Sequence, residues 1–359
     1  MSPNYTPMST LDSNIYVPYE FETPKWGTII DMHCHTTESD GAQSPREVYE
    51  HAKQKWISVF AITDHDKITR HPDFPAWVQN DGQLILEWVE VSARYVRGDY
   101  RKSLHIPVYG LALRWDIEDI LTGVRRGKAE KVQRQCEQLR KNGCMITLPD
   151  NRVVPFSFDA MQLCFPETQE DGFNNAHLVE LVLRHRDNMR KLENLAPWIN
   201  EKNLLREGFK SEWRYRREIS LREKLPEYEP TIEELMETID RSNTIVSIAH
   251  PNYTFRTVEE FMMQAGYILS LGPNAIELNS TATRPWYDAL ETFRDYQAES
   301  YSPGFIRTYG SDCHDLYPAK PDNRHSLLWD MNPHIDTVDN IIAARFIRNF
   351  TLRRSSHSF

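Results

Sequence analysis

The chain has 359 residues, 40% of them hydrophobic and 26% charged, and a formal net charge of -10. That balance disfavours indiscriminate binding to nucleic acid and leaves room only for a local basic pocket. No apolar run approaches the roughly 20 residues that span a bilayer, and Met1 to Glu22 carries no charged-then-apolar leader, so a cytoplasmic protein away from membranes is expected. The length allows one large domain or two. Cys34, Cys136, Cys144, Cys164 and Cys313 are odd in number and lack C-x-x-C spacing. Free thiols in a reducing compartment are therefore expected.

Residues 1–26 contain Pro3, Pro7, Pro18 and Pro24 without periodicity, which predicts an extended arm. A first strand is expected over Gly27 to Met32, running into His33-Cys34-His35 and then Ser39-Asp40-Gly41. In extended chain His33 and His35 share a face while Cys34 points away. Ser44-Pro45-Arg46-Glu47 reads as a helix start, with Ser as cap, Pro at the first helical position and Glu closing a capping box, the helix running to about Lys55. Trp56 to Ile62 is a buried strand ending in Thr63-Asp64-His65-Asp66. Leu84 to Val91 is a third, with Glu90 at its end and Ser92 after it. His105 stands just before a fourth, Ile106 to Leu113.

From Asp116 to about Pro230 the pattern turns helical. Leu121, Val132, Cys136 and Leu139 suit one helix face, Asn142-Gly143 suits its end, and two more helical stretches lie between His177 and Leu205. Arg206 to Lys224 is dense in charge and reads as a solvated helix face. Residues 116–230 are thus expected to be a helical insertion, with Thr231 to Ser242 a helix returning to the core. The strand rhythm resumes with Thr244 to Ala249, ending in His250-Pro251, then Ala275 to Leu278, then Ile306 to Tyr309, ending in Gly310-Ser311-Asp312-Cys313-His314. A last helix is expected near Asp336 to Asn349.

Strands alternating with helices predict an α/β fold with parallel strands, either a barrel or a doubly wound sheet. In a barrel the C-terminal strand ends converge on one face. His33, His35, Asp40, His65, Glu90, His105, His250, Asp312 and His314 all stand at such ends, and they include six of the 13 histidines. Nine nitrogen and oxygen donors exceed the about four that one zinc takes. They suit two or three divalent ions sharing bridging groups, with Mn, Zn or Fe fitting the donor types. No thiolate is needed, and Cys34 and Cys313 lie at the opposite parity.

Taken in order, His-x-His, Ser-Asp-Gly, Thr-Asp-His-Asp, Glu-x-Ser, His, Ala-His-Pro and Ser-Asp-x-His resemble the PHP (polymerase and histidinol phosphatase) family. The resemblance covers about residues 27–320 and matches all nine metal-binding positions. It implies a distorted seven-stranded TIM-like (β/α)7 barrel built from residues 27–115 and 231–359, a substrate cap over 116–230, a trinuclear metal centre and phosphoester hydrolysis. The insertion is similar to that of nucleoside 3',5'-bisphosphate phosphatases and a 5'-to-3' exoribonuclease, and Pro226-Glu227-Tyr228 matches the segment before the return helix. The departures fall on substrate contacts. Asn175-Ala176-His177 stands where Arg-x-His is expected, Asn252-Tyr253 stands where Gly-Arg would follow His-Pro, and Lys128 and Lys131, with Arg134 one turn on, replace arginines. Arg grips phosphate as a planar fork, whereas Lys acts as a point charge.

Under this resemblance His177, Lys128, Lys131 and Arg256 are the candidate phosphate contacts. Asp312, His65 and His250 are the candidate catalytic residues, Asp312 to accept or relay a proton and a histidine or a metal-bound water to protonate the leaving oxygen, with a metal-bridging hydroxide as nucleophile. A small phosphomonoester or phosphodiester, a nucleotide or a short oligonucleotide, is the expected substrate, with no stable nucleic-acid complex. An amidohydrolase-like hydrolase on the same centre is a second reading, against which no strand-end lysine offers a bridging carbamate. A non-enzymatic module is a third, and it would show lost ligands, whereas none is lost.

Overall fold

Short runs of β-branched and apolar residues, cut by polar strand ends, build the central sheet. The computed structural model describes residues 29–55, 57–69, 78–80, 83–109, 115–166, 168, 170–195, 200, 204, 228–239, 244–279, 282–300 and 306–316. The expected N-terminal arm, the charged stretch 206–224 and the expected helix near 336–349 lie outside these residues.

Strand β1 (Ile29–Asp31) is followed by helix α1 (Pro45–Gln54), whose start follows the sequence pattern. The Ser44 side chain accepts from the Glu47 N–H and the Glu47 carboxylate accepts from the Ser44 N–H. Strand β2 (Ile57–Ile62) is apolar on both faces, as a strand buried between layers requires. Strand β3 (Val78–Asn80) is short, and β4 (Gln83–Arg97) is long. It turns through Gly98, at φ 61°, into β5 (Tyr100–Tyr109), with Arg97 paired to Tyr100. A two-residue loop with Gly first permits only an antiparallel return. This corrects the all-parallel expectation, and it places His105 inside β5 rather than ahead of it.

Helix α2 (Trp115–Lys141) opens the insertion. A hairpin of β6 (Met145–Thr147) and β7 (Val153–Pro155) follows, turning near Asn151 at φ 67°, so the insertion is not purely helical. Helix α3 (Phe158–Cys164), a 3-10 turn at Glu170–Gly172, and helices α4 (Asn175–Arg184) and α5 (Arg186–Leu195) follow. The return helix α6 (Ile232–Glu237) is capped by Thr231 and Glu234 in the same reciprocal way as α1. Strand β8 (Ile245–Ile248), helices α7 (Pro251–Thr254) and α8 (Val258–Ser270), strand β9 (Ala275–Asn279), helix α9 (Arg284–Ser300) and strand β10 (Ile306–Gly310) finish the described chain. No helix of the described residues is long and apolar enough to cross a membrane.

The sheet runs β1-β2-β4-β5-β8-β9-β10, with β3 on β4. Pairing is parallel in β1-β2-β4 and β8-β9-β10 and antiparallel where β5 meets β4 and β8. No closed sheet forms among the described residues, yet the chain just after β1 meets the end of β10 and the residues that follow it. Met32 N–H donates to Tyr309 O, Asp312 N–H to His33 O and His35 N–H to Cys313 O, each at 2.8 Å. Cys34 and Cys313 form an isolated parallel bridge there. All five cysteines are free and buried.

Buried apolar residues fall in two clusters. One packs the sheet and its helices, from Ile30 to Leu121 and Ile232 to Leu316; the other packs the insertion, from Val132 to Leu204. Helix α2 contributes to both. Its Gly123 and Gly127, one turn apart, let the chain at Tyr228 pass close: a Cβ at Gly127 would lie 2.9 Å from the Tyr228 nitrogen, whereas one at Gly266 in α8 would meet nothing within 4 Å. Gly127→Ala should therefore lower stability by about 1–3 kcal/mol through overpacking. Gly266→Ala should raise it by about 0.5–1 kcal/mol through helix propensity. Denaturant midpoints of the two variants check the pair, and equal shifts would refute the close approach at Tyr228.

Candidate metal centre

The polar strand ends meet around Glu90, which β4 carries into a fully buried position. Its Oε1 lies 3.1 Å from His33 Nε2, 3.2 Å from His105 Nδ1 and 3.2 Å from His250 Nε2. Its Oε2 lies 2.8 Å from His65 Nδ1 and 3.5 Å from His35 Nε2. Asp40 and Asp312 extend the cluster. Asp40 Oδ1 is 3.2 Å from His314 Nε2 and 3.6 Å from His65 Nε2, and Asp312 Oδ1 is 3.2 Å from His35 Nε2 and 3.5 Å from His33 Nε2. All nine residues singled out from the sequence are thus brought together. They form four overlapping donor groups: His35, Asp40, His65 and His314; His33, His250 and Asp312; His33, His35 and Glu90; His65, Glu90 and His105.

Backbone conformation helps to aim them. Asp66, His250 and Asp312 have φ values of 52°, 28° and 55°, and among the described residues only Asn151 joins them as a non-glycine with positive φ. Left-handed backbone costs free energy and persists where surrounding structure enforces it. His250 also precedes Pro251, which restricts it further.

Some of the donors bond to one another, as His35 does to Asp312 and His250 to Glu90, each at 3.2 Å. His35 Nδ1, His65 Nδ1, His105 Nδ1 and Glu90 Oε2 are buried and make no hydrogen bond, although carboxylate oxygens stand close by. Such atoms fit divalent cations bound by nitrogen and oxygen. Thiolates are not involved, since Cys34 Sγ donates to Ala61 O at 3.2 Å. Charge coupling is strong. Burial pushes the Glu90 carboxyl up, but His105, His33 and His65 outweigh it and hold it well below the usual range. Burial, then His314 and His65, drive the His35 ring down to about 3. Burial also acts to lower His314, but Asp40 and Asp312 raise it to about 9.

Acids outside the nine hold the cluster in place. Asp64 Oδ1 accepts from Thr36 N–H at 2.8 Å and Ser39 Oγ at 2.6 Å, and its Oδ2 accepts from the Thr36 and Thr69 hydroxyls, which shapes the loop carrying Asp40. Asp66 accepts from Ser92 N–H at 2.7 Å and Ser92 Oγ at 3.0 Å. Asp31 Oδ1 accepts from His33 N–H and Ser311 N–H at 3.2 and 3.0 Å. Glu277, in the wholly buried β9, lies 2.5 Å from His33 Nδ1. None of these four acids was singled out as functional from the sequence. The available signal was an ionisable residue inside or abutting an apolar strand, which is rare without a partner.

The candidate phosphate contacts are placed less uniformly. Lys128 Nζ donates to Asp66 Oδ2 at 2.5 Å and Ser92 Oγ at 3.1 Å, one residue from His65. Arg125, also on α2, donates to Asp66 O at 2.8 Å and Asp171 at 2.9 Å. His177 Nδ1 accepts from Asn174 N–H at 3.2 Å, and Asn174 Nδ2 donates to Ser39 O at 2.8 Å beside Asp40. Lys131 is half-buried on α2, and Arg256 is exposed ahead of α8.

A family model described as "PHP domain" matches residues 31–250. A 5'-3' exoribonuclease from Haemophilus influenzae is 34% identical over 65 residues, 18% of this chain and 24% of that protein. A 3',5'-nucleoside bisphosphate phosphatase from Chromobacterium violaceum is 30% identical over 115 residues, 32% of this chain and 39% of that protein. The matched stretches therefore span well under two thirds of either relative. A crystal structure of a candidate metal-dependent phosphoesterase from Bifidobacterium adolescentis aligns with a TM-score of 0.56 at 18% identity, covering 89% of this chain and 97% of that one. An amidohydrolase from Chromobacterium violaceum aligns with a TM-score of 0.54 at 19% identity, covering 88% and 96%. At those identities the two structures speak to the fold alone.

Replacing Asp64 by Ala strands four donors in a partly dry pocket, so a loss on the order of 3 kcal/mol is expected. Denaturant unfolding of chelator-treated protein measures it. A loss below about 0.5 kcal/mol, the range of a surface change, would show that the loop does not lean on this carboxylate.

Proposed function

The chain belongs to the PHP domain family, and on that premise we propose that it hydrolyses phosphoric ester bonds with divalent metal ions held at the Glu90 cluster. The observation that carries the reading is the convergence of nine nitrogen and oxygen donors on one buried carboxylate. The four donor groups overlap at His33, His35, His65 and Glu90, and Glu90, with two oxygens, is a group that would bridge neighbouring ions. Two or three ions, as in a trinuclear centre of Mn, Zn or Fe, satisfy the set. Such ions supply Lewis-acid stabilisation of phosphoryl oxygens and activate water near neutral pH.

The protein's own groups supply the rest. Asp312, held beside His33 and His35, accepts or relays the proton of the attacking water. His65 or His250, both at the edge of Glu90, donates a proton to the leaving oxygen. Lys128 reaches the strand ends from α2, and His177, Lys131 and Arg256 complete a cationic and hydrogen-bonding rim for phosphate. His177 Nδ1 lies 3.1 Å from Asn174 Oδ1 and 3.2 Å from the Asn174 main-chain nitrogen, so Asn174 holds that side of the ring. The substrate is a nucleotide or short oligonucleotide, cut as a monoester or diester; the names of the two curated relatives support that class. In the same reading residues 27–115 and 231–359 form a distorted barrel, supported by the hydrogen bonds that join the chain beyond β1 and β10. Residues 116–230 form the cap, supported by their separate apolar cluster.

Purified protein should carry at least two transition-metal ions per chain by elemental analysis, and a His33→Ala, His35→Ala double variant should lose them. With added Mn the protein should cleave at least one of a panel of phosphomonoesters, nucleoside bisphosphates, cyclic nucleotides and short RNA, while the double variant is inert. Hydrolysis of lactones or amides and of no phosphoester would overturn the reading. Lys131→Ala and Arg256→Ala should raise KM about tenfold each, a change of 1.4 kcal/mol, without altering metal content. An unchanged KM would remove them from the rim.

A further inference from the structure

Glu277 is not among the nine donors, yet it touches two of them. Strand β9 reads Ala275-Ile276-Glu277-Leu278-Asn279, and all five side chains are buried. A carboxylate in such a run is costly unless its oxygens are used. Here they are. Oε2 lies 2.5 Å from His33 Nδ1, and Oε1 accepts from the His250 N–H and from Asn279 Nδ2, each at 3.2 Å. The space is closed from behind by Gly310, where a Cβ would overlap His33 Cβ and lie 3.1 Å from Glu277 Oε2. With Nδ1 committed, His33 has one nitrogen left. That nitrogen, Nε2, faces Glu90 at 3.1 Å, His35 at 3.2 Å and Asp312 at 3.5 Å.

We infer that Glu277 is a positioning residue that takes the Nδ1–H of His33, so that only Nε2 is presented to the metal centre, and anchors the left-handed turn that carries His250. The inference rests on reading the nine donors as a metal site. A carboxylate behind a ligating imidazole fixes its tautomer and ring orientation and raises its basicity. Glu277 also joins first and last parts of the chain, because one carboxylate sets a residue after β1 and a residue after β8. It is not a donor itself, since both oxygens already accept from N–H groups and it belongs to none of the four donor groups.

The test uses the full chain, stripped with chelator and reloaded with zinc alone, as wild type, Glu277→Gln and Glu277→Leu. Competition with a chromophoric chelator gives the zinc dissociation constant, and 15N-histidine NMR of the loaded protein shows which ring nitrogen of His33 bears the proton. Glu277→Leu should weaken zinc binding about 10- to 100-fold, the usual range for a supporting partner of a ligand, and should erase the hydrogen-bonded Nδ1–H signal. Glu277→Gln keeps an acceptor in the same place, so it should lose less than about tenfold and retain the signal, which decides the matter if the Leu variant does not fold. Complete loss of zinc uptake in Glu277→Gln, as in His33→Ala, would make Glu277 a ligand and overturn the inference. Unchanged affinity and NMR in the Gln and Leu variants would reduce it to a core residue. Failure of wild type itself to take up zinc would sink the metal reading, whereas uptake by wild type with indifferent Glu277 variants sinks only this one.

Discussion

The carboxylate of Glu90 has to sit out of water among five imidazoles, and the strand ends around it are arranged to make that tolerable. Transferring an ion into a protein interior costs several kcal/mol even after relaxation, and only close, well-oriented partners offset it. His33, His35, His65, His105 and His250 lie between 2.8 and 3.5 Å from its two oxygens. They come from the ends of β1, β2 and β8 and from within β5. The residues after β10 add Asp312 and His314. Of the seven strands on the sheet's main path only β9 gives no donor, and β9 supplies Glu277 instead.

Around this centre the same solution recurs at smaller scale. A buried acid collects main-chain and hydroxyl donors and thereby sets the course of a loop. Asp64 shapes the segment that carries Asp40, Asp66 ties Ser92 to the chain after β2, and Asp31 gathers the amides of His33 and Ser311. Asp66 is also where the insertion is fastened, through Lys128 and Arg125 of α2. A second fastening runs from Asn174 to Ser39. The insertion therefore reaches the cluster by way of its supports.

Much of this was legible because strand ends announce themselves. An apolar run closed by His33-Cys34-His35, or by Asp312-Cys313-His314, has few uses other than converging imidazole and carboxylate. Helix starts were equally plain, since Ser44 with Glu47 states a capping box locally. The β4-β5 hairpin was missed because its charged outer half resembles a loop in composition. Only the Gly98-Asp99 pair between Arg97 and Tyr100 signals the return, and it reverses the strand direction expected there. The β6-β7 hairpin hid for a related reason, as three-residue strands carry almost no period. Asp64, Asp66 and Glu277 carry no such local signature, because the partner of a supporting acid is set by tertiary contact and not by spacing. Lys128 shows the converse. Its type suggests phosphate, and tertiary contact adds what spacing does not state, namely that Asp66 and Ser92 anchor it beside the strand ends.

The hydrogen bond from His35 to Asp312 spans 277 residues of sequence. Contacts of that reach carry the full entropy of closing a long loop and form slowly. During synthesis Glu90 and its partners His33, His35, His65 and His105 leave the ribosome long before Asp312 and His314 are made. The cluster can therefore be completed only after β10 is made, whereas its Glu90 half and the apolar core of the insertion are already encoded upstream.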